Sequence, residues 1–175
     1  VMTRYFASRA RAAPVLYYGG DGWADWLVTA RLLGEDCLDP AYAAQPLRLV
    51  DALAEQLRAL HESSFADCPV ENRTAEYLAT AYRNHRLGHE DRSFFEHTYT
   101  DASSEQIFRI VERHGDELHA DVLLHGDYCL PNIIVDHWTF SGYVDLDCAG
   151  VGDRHVDVFW ALWSLAHNFH TDAYR

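Results

Sequence analysis

The eight residues His125-Gly126-Asp127-Tyr128-Cys129-Leu130-Pro131-Asn132 constrain this chain more than any other stretch. They lie between two short apolar runs, Val122-Leu123-Leu124 and Ile133-Ile134-Val135, and a third run, Tyr143-Val144, ends at Asp145. The polar segments between these runs are too short to hold helices, so the runs read as small strands that frame loops. Asp127, Asn132 and Asp145 then stand at strand ends, two of them in one loop stiffened by Pro131. Oxygen-bearing side chains so placed can converge on one point without help from helical spacing. Each part alone is weak: a lone Asp or Asn after a strand is usually a turn former, and a lone His is usually a hydrogen-bonded structural residue. The joint pattern, HGDxxxxN followed by an apolar run that ends in aspartate, is far more restrictive.

Phosphoryl transfer uses such a set. A carboxylate positions and deprotonates the attacking hydroxyl, and oxygen ligands hold magnesium against the phosphates of a nucleotide. On that chemistry Asp127 is the candidate base, Asn132 and Asp145 are candidate metal ligands, and His125 braces the loop. Asp145-Leu146-Asp147 also fits the DxD of a haloacid dehalogenase, a motif that normally sits near the start of a chain.

The rest of the chain reads as one packed α+β unit. Its 175 residues, 49% of them hydrophobic, suffice for one substantial core and not for two ordinary domains. Val15-Leu16-Tyr17-Tyr18, a turn at Gly19-Gly20-Asp21-Gly22 and the strand formers of Trp23 to Arg31 predict a β-hairpin. Beyond Pro46, apolar residues at Leu47, Val50, Leu53, Ala54, Leu57 and Leu60 predict an amphipathic helix ending near His61. A second helix is expected from about Thr74 to Arg86. A third begins at Ser103, which has capping-box spacing to Gln106, and stops at Gly115. A last helix is expected from an N-cap at Asp153, with Val156, Phe159, Trp160, Leu162 and Trp163 turned to the core.

The formal charge of −13, with no lysine among the basic residues, argues against a nucleic-acid partner and favours cationic small molecules, although an acidic surface also serves solubility alone. The four cysteines form no CxxC pair, so neither a zinc ribbon nor a disulfide framework is indicated, and a reducing cytoplasm fits. No apolar stretch has signal-peptide or membrane-spanning length. The expectation is a soluble cytoplasmic protein with no membrane partner.

HGDYCLPN resembles the catalytic loop of the aminoglycoside phosphotransferase family, relatives of the eukaryotic protein kinases, and YVDLD resembles their metal-binding aspartate segment. WLVTARLLGED, from Trp26 to Asp36, resembles the last strand of the nucleotide lobe, the hinge and the start of the second lobe. LAEQLRALH, ending at His61, resembles the helix after the hinge, and GVGDRHVD, ending at Asp157, resembles the opening of a buried helix. The resemblance covers nearly the whole chain and implies a protein-kinase-like fold. Residues 1–32 would end the nucleotide-binding lobe and form the hinge; residues 33–175 would form a mostly helical second lobe with small β-hairpins, incomplete at its C-terminus.

The resemblance further implies ATP and Mg2+ as cofactors, Asp127 as catalytic base, and Asn132 and Asp145 as magnesium ligands. Backbone near Thr29, Ala30 and Leu32 would meet adenine, with Ile134 and Val144 as apolar walls. Asp157 would tie its helix to the catalytic-loop backbone, His125 giving structural support. The loop around Glu90, Asp91, Glu96 and His97 would face the substrate, Asp91 and Glu96 binding amino groups of a cationic sugar. Two features depart from the family. Asp147 and Cys148 stand where 3'-phosphotransferases usually have glycine and arginine, and the chain has neither a Gly-rich phosphate loop nor a lysine for the α- and β-phosphates. The expectation is a fragment, inactive alone, of an ATP-dependent aminoglycoside O-phosphotransferase. A kinase of macrolides, choline-like molecules or sugars, and a non-catalytic nucleotide- or drug-binding domain, are the alternatives.

Overall fold

A computed structural model of the chain describes residues 1–92, 99–171 and 173–174. The chain opens with a short helix, α1 (Met2–Ala7), and a hairpin of β1 (Val15–Gly20) and β2 (Asp25–Thr29). The hairpin turn lies later than predicted. Gly19 and Gly20 belong to β1, and the chain reverses where the Asp21 carboxylate accepts the N–H groups of Trp23 and Ala24 with Gly22 at φ 87°.

Next come β3 (Glu35–Asp36), α2 (Pro40–Ala43), α3 (Pro46–His61), α4 (Arg73–Leu87) and α5 (Ser104–His114). The predicted helices are present within a residue or two. Ser103 and Gln106 form a reciprocal capping box, and α5 stops by tightening into a 3-10 turn over Gly115–Glu117, with Gly115 itself right-handed. No periodic signal announces β3 or α2, which have two and four residues.

The strands that carry the motifs are β4 (Val122–Leu124), β5 (Ile133–Asp136), β6 (Thr139–Tyr143) and β7 (Gly150–Gly152). β3, β5 and β6 form one antiparallel sheet, and β4 pairs with β7 in another. Two expectations are corrected. The third apolar run ends β6 at Tyr143 and leaves Val144 outside the strand, and Gly150–Gly152 is a strand rather than the lead-in to a helix. β5 and β6 join through His137 and Trp138, both at positive φ (49° and 67°), the backbone of a type I′ turn without its usual glycine. Tertiary contacts hold Trp138 there: it meets Tyr42 edge-on, and the Arg48 guanidinium lies 4.0 Å over its ring.

The last helix, α6 (His155–Phe169), is capped by Arg154, one residue after the predicted cap. Asp153 still serves its first turn, accepting the His155 N–H at 2.9 Å. The burial also differs. Val156, Phe159, Trp160, Leu162 and Trp163 are only partly buried, and the fully packed positions are Asp157, Ser164 and Leu165. A helix that buries an aspartate and a serine among its closest contacts is serving hydrogen bonds there as well as apolar area. Leu49, Leu53 and Leu60 of α3 join Phe6, Leu123, Tyr128, Leu130, Ile133, Tyr143 and Leu165 in one core. No helix of the described residues is long and apolar enough to cross a membrane.

Candidate functional site

The loop after β4 hangs from buried polar groups. Asp157, with no exposed surface, accepts the N–H of His125 at 3.0 Å through Oδ2 and the N–H of Gly126 at 2.7 Å through Oδ1. His61, at the end of α3, reaches the same Oδ2 through Nε2 at 3.0 Å. Ser164, two turns further along the same face of α6, accepts the N–H of Leu130 at 3.0 Å. Gly126 makes the bend possible. At φ 84° its backbone passes so close to Cys148 that an added Cβ would stand 2.0 Å from the Cys148 carbonyl oxygen.

His125 links this loop to the next. Its Nδ1 accepts the N–H of Asp127 at 3.3 Å, which leaves Nε2–H to donate to the Val144 carbonyl at 3.0 Å. Burial pushes its pKa below the ordinary value, although Asp157 and Asp127 pull the other way, so the ring is a neutral strut. Val144 in turn donates its N–H to the Asn132 carbonyl at 3.0 Å. Both peptide groups of Val144 are thus fastened, one to each end of the loop, just before the chain reaches Asp145 at a left-handed φ of 55°.

Asp127 is half-buried and oriented at both oxygens. The Cys129 thiol donates to Oδ1 at 3.0 Å and the Asn132 amide donates to Oδ2 at 2.9 Å, with a second bond to the Asp127 carbonyl. A thiol is a weak donor, so Oδ1 is held lightly while the Asn132 amide fixes Oδ2. Burial and the neighbouring Asp127 both push the Cys129 thiol pKa up, and it stays protonated.

Asp145 is exposed and lines a cavity of about 500 Å3 that also takes in Thr29, Leu27 and Tyr18 of the hairpin, Val144, Asp147 and Arg73. The structure therefore brings Thr29, Val144 and Asp145 together. Ala30, Leu32 and Ile134 do not line this cavity. The Ala30 N–H is bonded to the Pro14 carbonyl, and Leu32 packs over Gly142, the strand partner of Ile134. Of the substrate-loop residues, Glu90 is occupied: the His85 ring bonds it at 2.7 Å and holds its carboxyl below the usual range. Asp91 is exposed, and Glu96 and His97 lie outside the described residues.

The donor chemistry fits magnesium. With Asn132 Nδ2 committed to Asp127, Oδ1 is the oxygen it has to offer, and Asp145 adds a carboxylate on the adjoining loop. Among the described residues no cluster of three or more His, Cys, Asp or Glu side chains could hold a metal ion. Mg2+ keeps several waters and takes one or two protein oxygens once phosphates contribute, a demand that Asn132 and Asp145 would meet.

Sequence reasoning gave no site role to five residues that hold these loops: His61, Arg73, Cys129, Ser164 and Tyr77, whose hydroxyl donates to the Gly126 carbonyl at 3.1 Å. His61 did leave a signal, because it continues the apolar stripe of α3 four residues after Leu57. Tyr77 and Ser164 left none.

A mostly helical α+β domain, with a hairpin beside two fastened loops that present Asp127, Asn132 and Asp145, defines the protein-kinase-like class. The model of the phosphotransferase enzyme family matches residues 2–175, and the chain belongs to that family. It is 42% identical over 174 residues to a probable aminoglycoside 3'-phosphotransferase of Lactococcus lactis, covering 99% of this chain and 66% of that protein. To the aminoglycoside 3'-phosphotransferase of Streptomyces fradiae it is 33% identical over 153 residues, covering 86% and 57%. The chain thus spans roughly three fifths to two thirds of the length of these relatives. The crystal structure of an aminoglycoside 3'-phosphotransferase of type VIII superposes with a TM-score of 0.77 at 28% identity, covering 95% of this chain and 63% of that one. The Streptomyces rimosus aminoglycoside phosphotransferase APH(3'')-Id, solved with ADP and streptomycin, superposes with a TM-score of 0.80 at 18% identity, covering 98% and 67%, a likeness of fold.

Proposed function

We propose that the protein containing this chain transfers the γ-phosphate of ATP to a hydroxyl of an aminoglycoside. In this reading residues 1–32 end the nucleotide-binding lobe and form the hinge, and residues 33–175 belong to the catalytic lobe. Asp127 orients the substrate hydroxyl and takes its proton. Asn132 and Asp145 hold magnesium, which would neutralise charge on the phosphates. Thr29 and Val144 border the nucleotide, and the exposed carboxylates of an acidic chain attract the cationic sugar.

The observation that carries the reading is the setting of Asp127. Its carboxylate is fixed at both oxygens, one of them by Asn132, in a loop bonded through Val144 to the segment bearing Asp145. Positioning of that kind is most of what a protein contributes to phosphoryl transfer. The absence of lysine from these 175 residues favours a second reading, a domain that binds nucleotide or drug without catalysis. Macrolides, choline-like molecules and sugars remain the other acceptor classes.

The test uses the full-length protein that carries this chain, with ATP and Mg2+, on a panel of aminoglycosides, with phosphate gain read by mass spectrometry. Transfer to a panel member, abolished in Asp127→Asn while nucleotide binding persists, is the expected result. Nucleotide binding without transfer to any acceptor class would leave only the binding domain.

A further inference from the structure

The loop that follows Asp145 is gripped from one side by a residue that the proposed chemistry does not use. Arg73 is the first residue of α4, where its charge faces the positive end of the helix dipole, a local mismatch that calls for a use elsewhere. Its guanidinium leaves the helix and closes on the loop. Nη2 donates to the Asp147 carbonyl at 3.0 Å and to the Ala149 carbonyl at 2.9 Å, and Nε donates to the Ala149 carbonyl at 3.3 Å. Nη1 is paired with Glu76 at 2.6 Å. The side chain is only 19% exposed and lines the cavity that holds Asp145.

One turn further on, Tyr77 donates its hydroxyl to the Gly126 carbonyl at 3.1 Å. Between them Thr74 accepts the N–H of Asp153 at 2.8 Å. The first two turns of α4 therefore touch the loop of Asp127, the loop of Asp145 and the approach to α6.

We propose that Arg73 is a positioning residue that sets the metal-binding loop against the catalytic loop, with α4 as their common reference. A planar fork can bond two carbonyls of one loop at once, and that fixes orientation as well as distance. Its effect reaches magnesium through Asp145, two residues before the first carbonyl it holds. The proposal rests on the phosphotransferase reading, and its test is chosen to stand apart from it.

In the full-length protein, Arg73→Met is compared with Arg73→Lys and Glu76→Gln for two quantities. One is the Mg2+ concentration giving half-maximal phosphate transfer. The other is the affinity for Mn2+ with ADP, read by paramagnetic resonance, which needs no turnover. Loss of a partner that orients a metal ligand costs roughly ten- to a hundredfold in metal affinity or activity. Arg73→Met is expected to raise the metal requirement and weaken Mn2+ binding by about tenfold, a shift in that range, with the KM for the acceptor little changed. Arg73→Lys falls between, and Glu76→Gln, which leaves the carbonyl contacts intact, behaves as wild type. Wild-type metal affinity in Arg73→Met overturns the proposal, even if thermal stability falls. If Arg73→Met does not fold, Arg73→Lys decides: weaker Mn2+ binding supports the proposal and unchanged binding overturns it. A wild type that binds Mn2+ and ADP but transfers no phosphate refutes the activity and leaves this comparison intact.

Discussion

Asp157→Ala tests the anchoring of the loop after β4 most directly. The substitution removes the acceptor of three donors in one stroke, the N–H groups of His125 and Gly126 and the ring N–H of His61, at a site with no exposed surface. A buried donor left without a partner costs about 1–3 kcal/mol, so three independent losses would sum to about 3–9 kcal/mol. They are not independent, because they share one carboxylate, and a water entering the space left by the side chain would satisfy some of them. A loss of about 4 kcal/mol is the working figure, in line with breaking a buried charged set by removing one member. Against a total stability of about 5–15 kcal/mol, that is a large share. For a domain of this size it lowers the melting temperature by roughly 8–16 °C.

The assay is urea denaturation followed by circular dichroism, with turnover measured on the same samples. Asp157→Asn keeps the volume and one acceptor oxygen but turns an N–H2 towards at least one donor. It should therefore fall between alanine and wild type. An unfolding free energy for Asp157→Ala within about 1 kcal/mol of wild type at unchanged slope, with full turnover, would refute the reasoning.

Two further outcomes follow from the same loop. Gly126→Ala places a Cβ 2.0 Å from the Cys148 carbonyl oxygen at a φ of 84°; the backbone must move, and turnover should fall by more than about tenfold, because reacting groups displaced by an ångström lose that much and more, whereas Gly88→Ala, also at positive φ but with open space around it, should leave turnover near wild type. His125 is held below its ordinary pKa of 6.5, so it is neutral in the folded chain while the unfolded chain takes up a proton below about pH 6.5. The unfolded state then binds more protons, and stability falls as pH drops through that window, by at most about 1.4 kcal/mol per pH unit from this group. The stability advantage of wild type over His125→Gln should shrink between pH 7 and pH 5, and an advantage that stays constant over that range would sink the assignment.

The motif strands and the longer helices could be read from sequence because each advertises itself locally. α3 repeats apolar residues at three and four, α5 carries its own cap, and the loop HGDYCLPN is bracketed by apolar runs. What the sequence hid is decided by tertiary contact. Two-residue β3 exists because its backbone finds Ile134 and Val135, and the turn at His137-Trp138 is held in a glycine-like conformation by Tyr42 and Arg48. The same division runs through the candidate site. Asp127, Asn132 and Asp145 stood out because oxygen-bearing residues at strand ends are few. Arg73, Tyr77 and Ser164 act through backbone carbonyls and N–H groups far away in sequence, and a bond to a peptide group leaves no complementary residue type to search for.

Burial of polar side chains shows where this fold concentrates its specificity. Five polar residues are buried among the described ones, Thr74, His125, Asp153, Asp157 and Ser164, and burying such groups costs stability unless every bond is made. None is spent on another surface. His125, Asp157 and Ser164 each hold peptide groups of the loop from His125 to Leu130 or of Val144. Asp153 takes the N–H of His119 ahead of β4 and the N–H of His155 in α6, while Thr74 takes the N–H of Asp153 itself. An apolar core of similar volume would give comparable stability, but it would leave the peptide groups of a bent loop unsatisfied and the loop free to choose among conformations. Fixing those groups from α3, α4 and α6 at once leaves Asp127 little freedom before any substrate arrives. In the phosphoryl transfer proposed for this loop, which depends on the placement of charge and hydroxyl, that restriction would be the protein's main contribution.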